Sequence, residues 1–364
     1  MMLRKILKMM KWFSLFILSL IILIVVVIFI IRRVNVNKTK ITTDKGIQES
    51  NYVEINGNEH YLQIRGENRD NPVILFLHGG PGFPLTYLST YFQQDLEKQY
   101  TFVNYEQRHA GRTYYKNDTT EEVSFGIMLE DVHGVVNYVK NRLQVDKVII
   151  MGQSWGTVLG STYVQKHPEN VTAYFGVGQV IDFDQGKILA AEQAMALADQ
   201  EDSDKLEHAI AQFKKSHNTQ QTDIVNLENL IMTSAKYLKG DKEISGLKQM
   251  WLGISSPYMT IQDIQWFLNA SNTQKIMALQ QNVINYMYYE FNVNNLNAHY
   301  DVPMFYIQGS HDYITPTQLV EAYYATISTP VKNMYIMEDA GHTPFLDKPN
   351  EFAEFVRDAI ESIH

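Results

Sequence analysis

Ser154 stands in Gly152-Gln153-Ser154-Trp155-Gly156, a G-x-S-x-G pattern that follows the apolar run Val148-Ile149-Ile150-Met151 and precedes a helical stretch. A serine hydroxyl is a weak nucleophile at neutral pH. The pattern therefore does chemistry only if a sharp strand-to-helix turn presents the side chain and a base takes its proton. The glycines leave room for that turn, and the helix that follows aims its free N–H groups at a developing oxyanion. The pattern alone fits an ordinary tight turn as well; its place between strand and helix selects the nucleophile. An orienting acid and a base follow later in the chain. Asp312 lies in Gly309-Ser310-His311-Asp312-Tyr313, just past the run Met304 to Gln308, and His342 lies in Ala340-Gly341-His342-Thr343-Pro344, past the last apolar run. Ser, then Asp, then His is the chain order in which a strand-ending elbow of this kind finds its partners. His311 is the rival base, but it sits on the strand of the acid rather than on the last one.

Acyl transfer also needs a second oxyanion donor, and His78-Gly79-Gly80-Pro81-Gly82, directly after Val73 to Leu77, offers one. Glycines let the main chain approach a substrate carbonyl, so the backbone N–H groups of Gly80 and Trp155 are assigned to the oxyanion hole. His78 is read as structural, holding that loop. With no cysteine, the chain has no thiolate nucleophile, disulfide framework or Cys-based zinc site. It also lacks HExxH, so neither a hydrolytic metal nor another cofactor is expected. A net charge of -9 and the absence of a basic run in the soluble part argue against a nucleic-acid partner.

These residues need a scaffold that brings strand ends together. Tyr52 to Arg65 alternates apolar and polar residues around Asn56-Gly57, which predicts an opening β-hairpin. Five further apolar runs, near residues 73–77, 101–103, 148–151, 174–177 and 304–307, and a sixth at 334–337, read as strands buried on both faces. Met128, Leu129, Val132, Val135, Val136, Val139 and Leu143 fall at helical spacing between two of them. The alternation predicts an α/β domain with a mostly parallel, eight-stranded-type sheet flanked by helices. After Gly178 the alternation stops, and about residues 182–298 read as consecutive helices, an inserted helical cap. The expected organisation is a basic head and anchor (1–33), a tether (34–50), a first core part (51–181), the cap (182–298) and a second core part (299–364).

From Trp12 to Ile31 the sequence runs without a charge, long enough as a helix to span a bilayer's roughly 30 Å hydrocarbon core. The stretch exceeds a secretory h-region, and Ile31-Arg32-Arg33 offers no small-residue cleavage site, so an uncleaved single-pass anchor through residues 12–31 is expected. Basic residues flank it on both sides. A short basic head before the apolar run favours an extracytoplasmic catalytic domain.

The four segments around Gly80, Ser154, Asp312 and His342 together resemble the proline iminopeptidase family of α/β-hydrolases, over Tyr52 to the C-terminus. The resemblance implies the α/β-hydrolase fold and a metal-free serine peptidase that releases an N-terminal residue, often proline, from small peptides. It further implies a helical cap whose acidic residues receive the substrate amine; Glu290 is the first candidate and Glu192 the second. The family's Asp-Gln-Arg-Gly segment appears here as Glu106-Gln107-Arg108-His109, with a longer acidic arm and with His109 where positive φ favours glycine. This segment is expected to be structural, Arg108 pinning neighbouring loops. The alternative is a carboxylesterase or lipase-like hydrolase with the same triad, suggested by the membrane helix, the 12% aromatic content and the Met-rich cap. A non-catalytic binding protein of this fold usually lacks a triad member, and all three are present.

Overall fold

The computed structural model describes residues 2–216 and 223–363. β1 (Ile47–Ile55) and β2 (Asn58–Gly66) form the opening hairpin, with Tyr52 opposite Tyr61. Asn56 and Gly57 take φ of 51° and 74°, the two positive values that a two-residue turn between twisted strands requires. β3 (Val73–Leu77), β4 (Thr101–Glu106), β5 (Val148–Gln153), β6 (Val171–Val177), β7 (Met304–Gly309) and β8 (Lys332–Met337) complete one sheet in the order β1-β2-β4-β3-β5-β6-β7-β8. β2 pairs antiparallel with β1 and β4, and all pairs from β4 to β8 are parallel.

Every residue of β3, β4, β5 and β7 is buried, which explains the apolar runs of β3, β5 and β7, while β4 also buries Thr101, Asn104 and Glu106. Side-chain alternation sends Leu75, Val103 and Ile150 to one face, under the helices Phe125–Leu143 and Trp155–Lys166. Ile74, Phe76, Phe102 and Met151 go to the other, under the helix Pro349–Glu361. Each such aliphatic or aromatic side chain contributes about 1.5–3 kcal/mol by leaving water. Helix Phe125–Leu143 starts where Ser124 Oγ accepts from Ile127 N–H and ends at Gln144, whose φ is 55°. Its buried stripe is the predicted set from Met128 to Leu143. Because β3 and β5 through β8 run the same way, their C-terminal ends share one edge. The loops bearing Gly80, Ser154, Asp312 and His342 all leave from that edge.

Between β6 and β7 the chain is helical: Phe183–Met195, Gln200–Ser216, Asp223–Leu238, Gly246–Ser255, Ile261–Ala270 and Thr273–Asn285. The N-terminal helix Met2–Lys38 is long and apolar enough to cross a membrane, and none of its most apolar stretch is buried in the protein. It does not stop at Arg33. The stretch expected as a tether, 34–50, is helical through Lys38, and β1 begins at Ile47, before Tyr52. Docking explains the difference: Arg32 donates to Met259 O, Asn35 Nδ2 to Ser255 O at 2.8 Å, and buried Arg65 donates to Thr39 O at 2.6 Å.

Candidate active site

Ser154 follows β5 and caps the helix Trp155–Lys166 with φ 52° and ψ -121°, a conformation that costs an L-residue about 1–3 kcal/mol and persists only where the surroundings enforce it. They do so here by contact. A Cβ on Gly156 would strike Leu77 O, and one on Gly152 would strike the backbone of Gly156. Ser154 N–H donates to Val177 O at 3.0 Å, and Thr157 Oγ1 donates to Ser154 O at 2.6 Å. The turn leaves the first N–H groups of the helix, Trp155 among them, without intrahelical acceptors.

Asp312 follows β7 and is fully buried. Its Oδ1 accepts from Ile314 and Thr315 N–H at 2.9 and 2.8 Å, and its Oδ2 from Thr315 Oγ1 at 2.7 Å. His342 Nδ1 lies 2.9 Å from Asp312 Oδ2. Burial alone would raise the Asp312 carboxyl; His342 and the Thr315 bonds outweigh it and hold the group below the usual range. Asp312 thus stays ionised at neutral pH and fixes the His342 proton on Nδ1, freeing Nε2 as a base. The ring packs against Gly178 at the end of β6, where a Cβ would sit 3.0 Å from Cε1.

His78 is buried between β3 and β4. Its Nε2 accepts from Gln107 N–H at 3.1 Å and its Nδ1–H donates to Gly79 O at 2.9 Å; burial pushes it down to about 4, so it stays neutral. Gln107 also donates through Nε2 to His78 O at 2.8 Å and accepts from Trp155 Nε1 at 3.0 Å. One amide thereby ties the glycine loop to the elbow, the two segments expected to supply oxyanion donors. Gln107→Leu is expected to lower kcat by roughly 10²-fold with little change in KM, because donors displaced by an ångström lose transition-state contacts first. Steady-state kinetics on any turned-over reporter tests this, and a change in KM alone would count against it.

Gly79, Gly80, Ser154 and His342 line one cavity of about 450 Å³. Its other walls are mostly apolar: Phe83, Pro84, Leu85, Tyr87, Ile314, and from the helix Ile261–Ala270, Trp266, Phe267 and Ala270. That helix is clamped over the site by Trp266 Nε1 donating to Gly82 O at 2.8 Å. Asp263 also lines the cavity, but it accepts from Arg112 at 2.7 and 3.0 Å and from Thr260 in a capping box. Behind it Glu106 accepts from Arg112 N–H, and burial pushes its carboxyl up to about 7.

Residues 72–349 match the alpha/beta hydrolase fold family. The chain belongs to the α/β-hydrolases. It is proline iminopeptidase-like: the probable aminopeptidase YbaC of Bacillus subtilis is 24% identical, across 86% of this chain and 96% of that protein. The crystal structure of a proline iminopeptidase from Mycobacterium smegmatis superposes with a TM-score of 0.60 at 18% identity, covering 86% of this chain and 98% of that one. A membrane phospholipase A described as a bacterial virulence factor superposes at 0.58 with 15% identity, but over 96% of this chain and 98% of its own. That likeness takes in most of the N-terminal helix.

In this α/β-hydrolase Ser154, His342 and Gly80 line one cavity, with Asp312 behind His342 and Trp155 buried at the start of the helix that Ser154 caps. Glu290, the first candidate for the substrate amine, does not line that cavity. Tyr286–Glu290 winds as a π-turn that buries Met287 and stacks Tyr286 on Phe125 at 4.0 Å, leaving Glu290 exposed and away from the cavity lining. Glu192 is exposed too. Arg108 pins loops as expected, through two bonds to buried Asp131 and one to Asn56 O, and His109 takes the positive φ of 55°. Sequence reasoning missed Lys187. Fully buried, it donates from Nζ to Ile314 O at 2.6 Å beside Asp312, and burial pushes it down to about 7.

Proposed function

We propose that this α/β-hydrolase is a membrane-tethered serine hydrolase that cleaves carboxylic esters with an apolar acyl group. The convergence of Ser154, His342 and the glycine loop on a mainly apolar cavity carries this reading. Ser154 Oγ attacks the ester carbonyl while His342 takes its proton; Asp312 stabilises the imidazolium. The N–H groups of Gly80 and Trp155 hold the oxyanion, the alcohol leaves with the proton from His342, and water then frees the acid by the same route. Among the described residues, the one carboxylate lining the cavity, Asp263, is committed to Arg112 and to its own helix cap. A cationic substrate amine therefore finds no free counter-charge there. The helix Met2–Lys38 serves as the tether, with the catalytic domain on the extracytoplasmic side.

A second reading, release of N-terminal residues from small peptides, is favoured by the relatives' names and by Glu243. That side chain is half-buried against Gly341, next to His342, its carboxyl is raised by burial, and its buried Oε2 has no hydrogen-bond partner. The full-length protein should be assayed on a short-chain ester and on proline and alanine amides, free and N-acetylated. Ester turnover indifferent to a free amine is expected. Amide cleavage that disappears on acetylation and falls at least tenfold in Glu243→Gln would replace the ester reading with the peptidase.

A further inference from the structure

We infer that the helices Gly246–Ser255 and Ile261–Ala270 lie in the surface of the same bilayer that holds the N-terminal helix, and that the cavity over Ser154 takes its acyl chain from that lipid phase. The substrate class is then a membrane-resident acyl ester; this part rests on the hydrolase reading above.

Outside the N-terminal helix, the exposed large hydrophobic side chains concentrate on these two helices and at Phe83. Among the described residues only Ile127, Leu197, Met232 and Ile336 lie elsewhere. Leu247, Met250 and Trp251 share one face of the first helix. Ile261, Ile264 and Leu268 share one face of the second, opposite its buried Asp263, Trp266 and Ala270. Between residues 246 and 270 the charged side chains are Lys248 and the buried Asp263. A helix apolar on both sides belongs in a core or at a membrane, and water is a poor solvent for this outer face.

The occupant follows from where the patch sits. The loop between the two helices is the segment on which the N-terminal helix docks. Pro257 shares a hollow with Val25, Ile28 and Phe29, while Arg32 and Asn35 donate to Met259 O and Ser255 O. Those contacts fall on the last turns of the uncharged stretch and the first polar turn after it, which is the level of the membrane–water boundary. Helices flanking that loop reach the depth of about 5–10 Å typical of interfacial helices, and exposed Trp251 suits the headgroup layer. Phe83 and Phe267, 46% and 61% exposed, belong to the patch and also line the cavity with Ser154. The mouth of the site therefore opens toward lipid.

The chain has no cysteine, so single cysteines can carry an NBD fluorophore. In full-length protein reconstituted into phosphatidylcholine vesicles, labels on Met250→Cys and Leu268→Cys should be quenched by doxyl-lipid and shielded from aqueous iodide. A label on Met232→Cys, exposed on another helix, should behave in the opposite way. Patch labels as open to iodide as the one at 232, or shielded from both quenchers as in a self-associated pair of chains, would overturn the inference. The double variant Ile264→Glu, Leu268→Glu should turn over a vesicle-embedded long-chain ester at least tenfold more slowly and a water-soluble short-chain ester at the parental rate. Equal effects on both esters would refute delivery from lipid. If Ser154→Ala turns over either ester as fast as the parent, the hydrolase reading has failed, whereas the labelling result stands or falls by itself.

Discussion

Full-length Ser154→Ala is expected to lose about 10⁴- to 10⁶-fold in kcat, the range that removal of a nucleophile costs serine hydrolases with intact oxyanion holes. Asp312→Asn should cost about 10⁴-fold. Its carboxylate accepts from two backbone N–H groups, from Thr315 Oγ1 and from His342. An amide cannot accept at all of these positions, so the imidazole loses its fixed tautomer. The residues act as a unit, so the double variant should be no slower than Ser154→Ala alone. Initial rates on the ester reporter test this, with fluorophosphonate labelling as a parallel readout. Turnover above one per cent of the parent in Ser154→Ala would remove Ser154 from the nucleophile's role.

The second large effect concerns stability. Asp131 is wholly buried in the helix Phe125–Leu143 and accepts from Arg108 at 2.7 and 2.9 Å and from Asn56 Nδ2 at 3.1 Å. It thereby joins the opening hairpin, the loop after β4 and a core helix. Asp131→Ala strands the buried guanidinium and should cost about 3–5 kcal/mol, measured by urea unfolding in detergent. Burial alone would raise the Asp131 carboxyl, but His60 and Arg108 outweigh it and hold it below the usual range. A depressed carboxyl stabilises the fold above its unfolded pKa of about 3.9, and that stabilisation is lost as pH falls through the lower folded value. The parent should therefore lose stability in acid below about pH 4 by a component that Asp131→Ala lacks. Identical acid profiles would show that the pair contributes nothing.

Strand runs, the hairpin turn and the stripe from Met128 to Leu143 were legible because each is a local pattern in which burial and period coincide. The meeting of Ser154, Asp312 and His342 at one sheet edge was legible for a related reason: each follows a strand of the parallel sheet. Partners joined only by tertiary packing left no such trace. Gln107 meets Trp155 from 48 residues away, Lys187 meets Ile314 from 127 and Arg112 meets Asp263 from 151. No spacing rule connects them. The exposed position of Glu290 was not legible because it depends on a π-turn, which shifts the helical phase that sequence periodicity assumes. The extra helical turns to Lys38 were hidden because Asn35 and Arg32 read as solvated polar residues until their acceptors at 255 and 259 are known.

Lys187 lends the helical insertion a property that its place between two strands conceals. It is not a detachable module. Its first helix holds the Ile314 carbonyl beside Asp312, its fifth is tied to the glycine loop through Trp266 and to the core through Asp263, and its fourth abuts the N-terminal helix. Grafting the corresponding segment from a relative would strip support from Asp312, loosen the loop at Gly82 and orphan Arg112 at one stroke. Successful exchange, in the laboratory or by recombination, would have to carry Arg112, Ile314 and the end of the N-terminal helix along as a linked set. Diversification of this chain should therefore proceed by substitution at the cavity wall in preference to wholesale replacement of its roof.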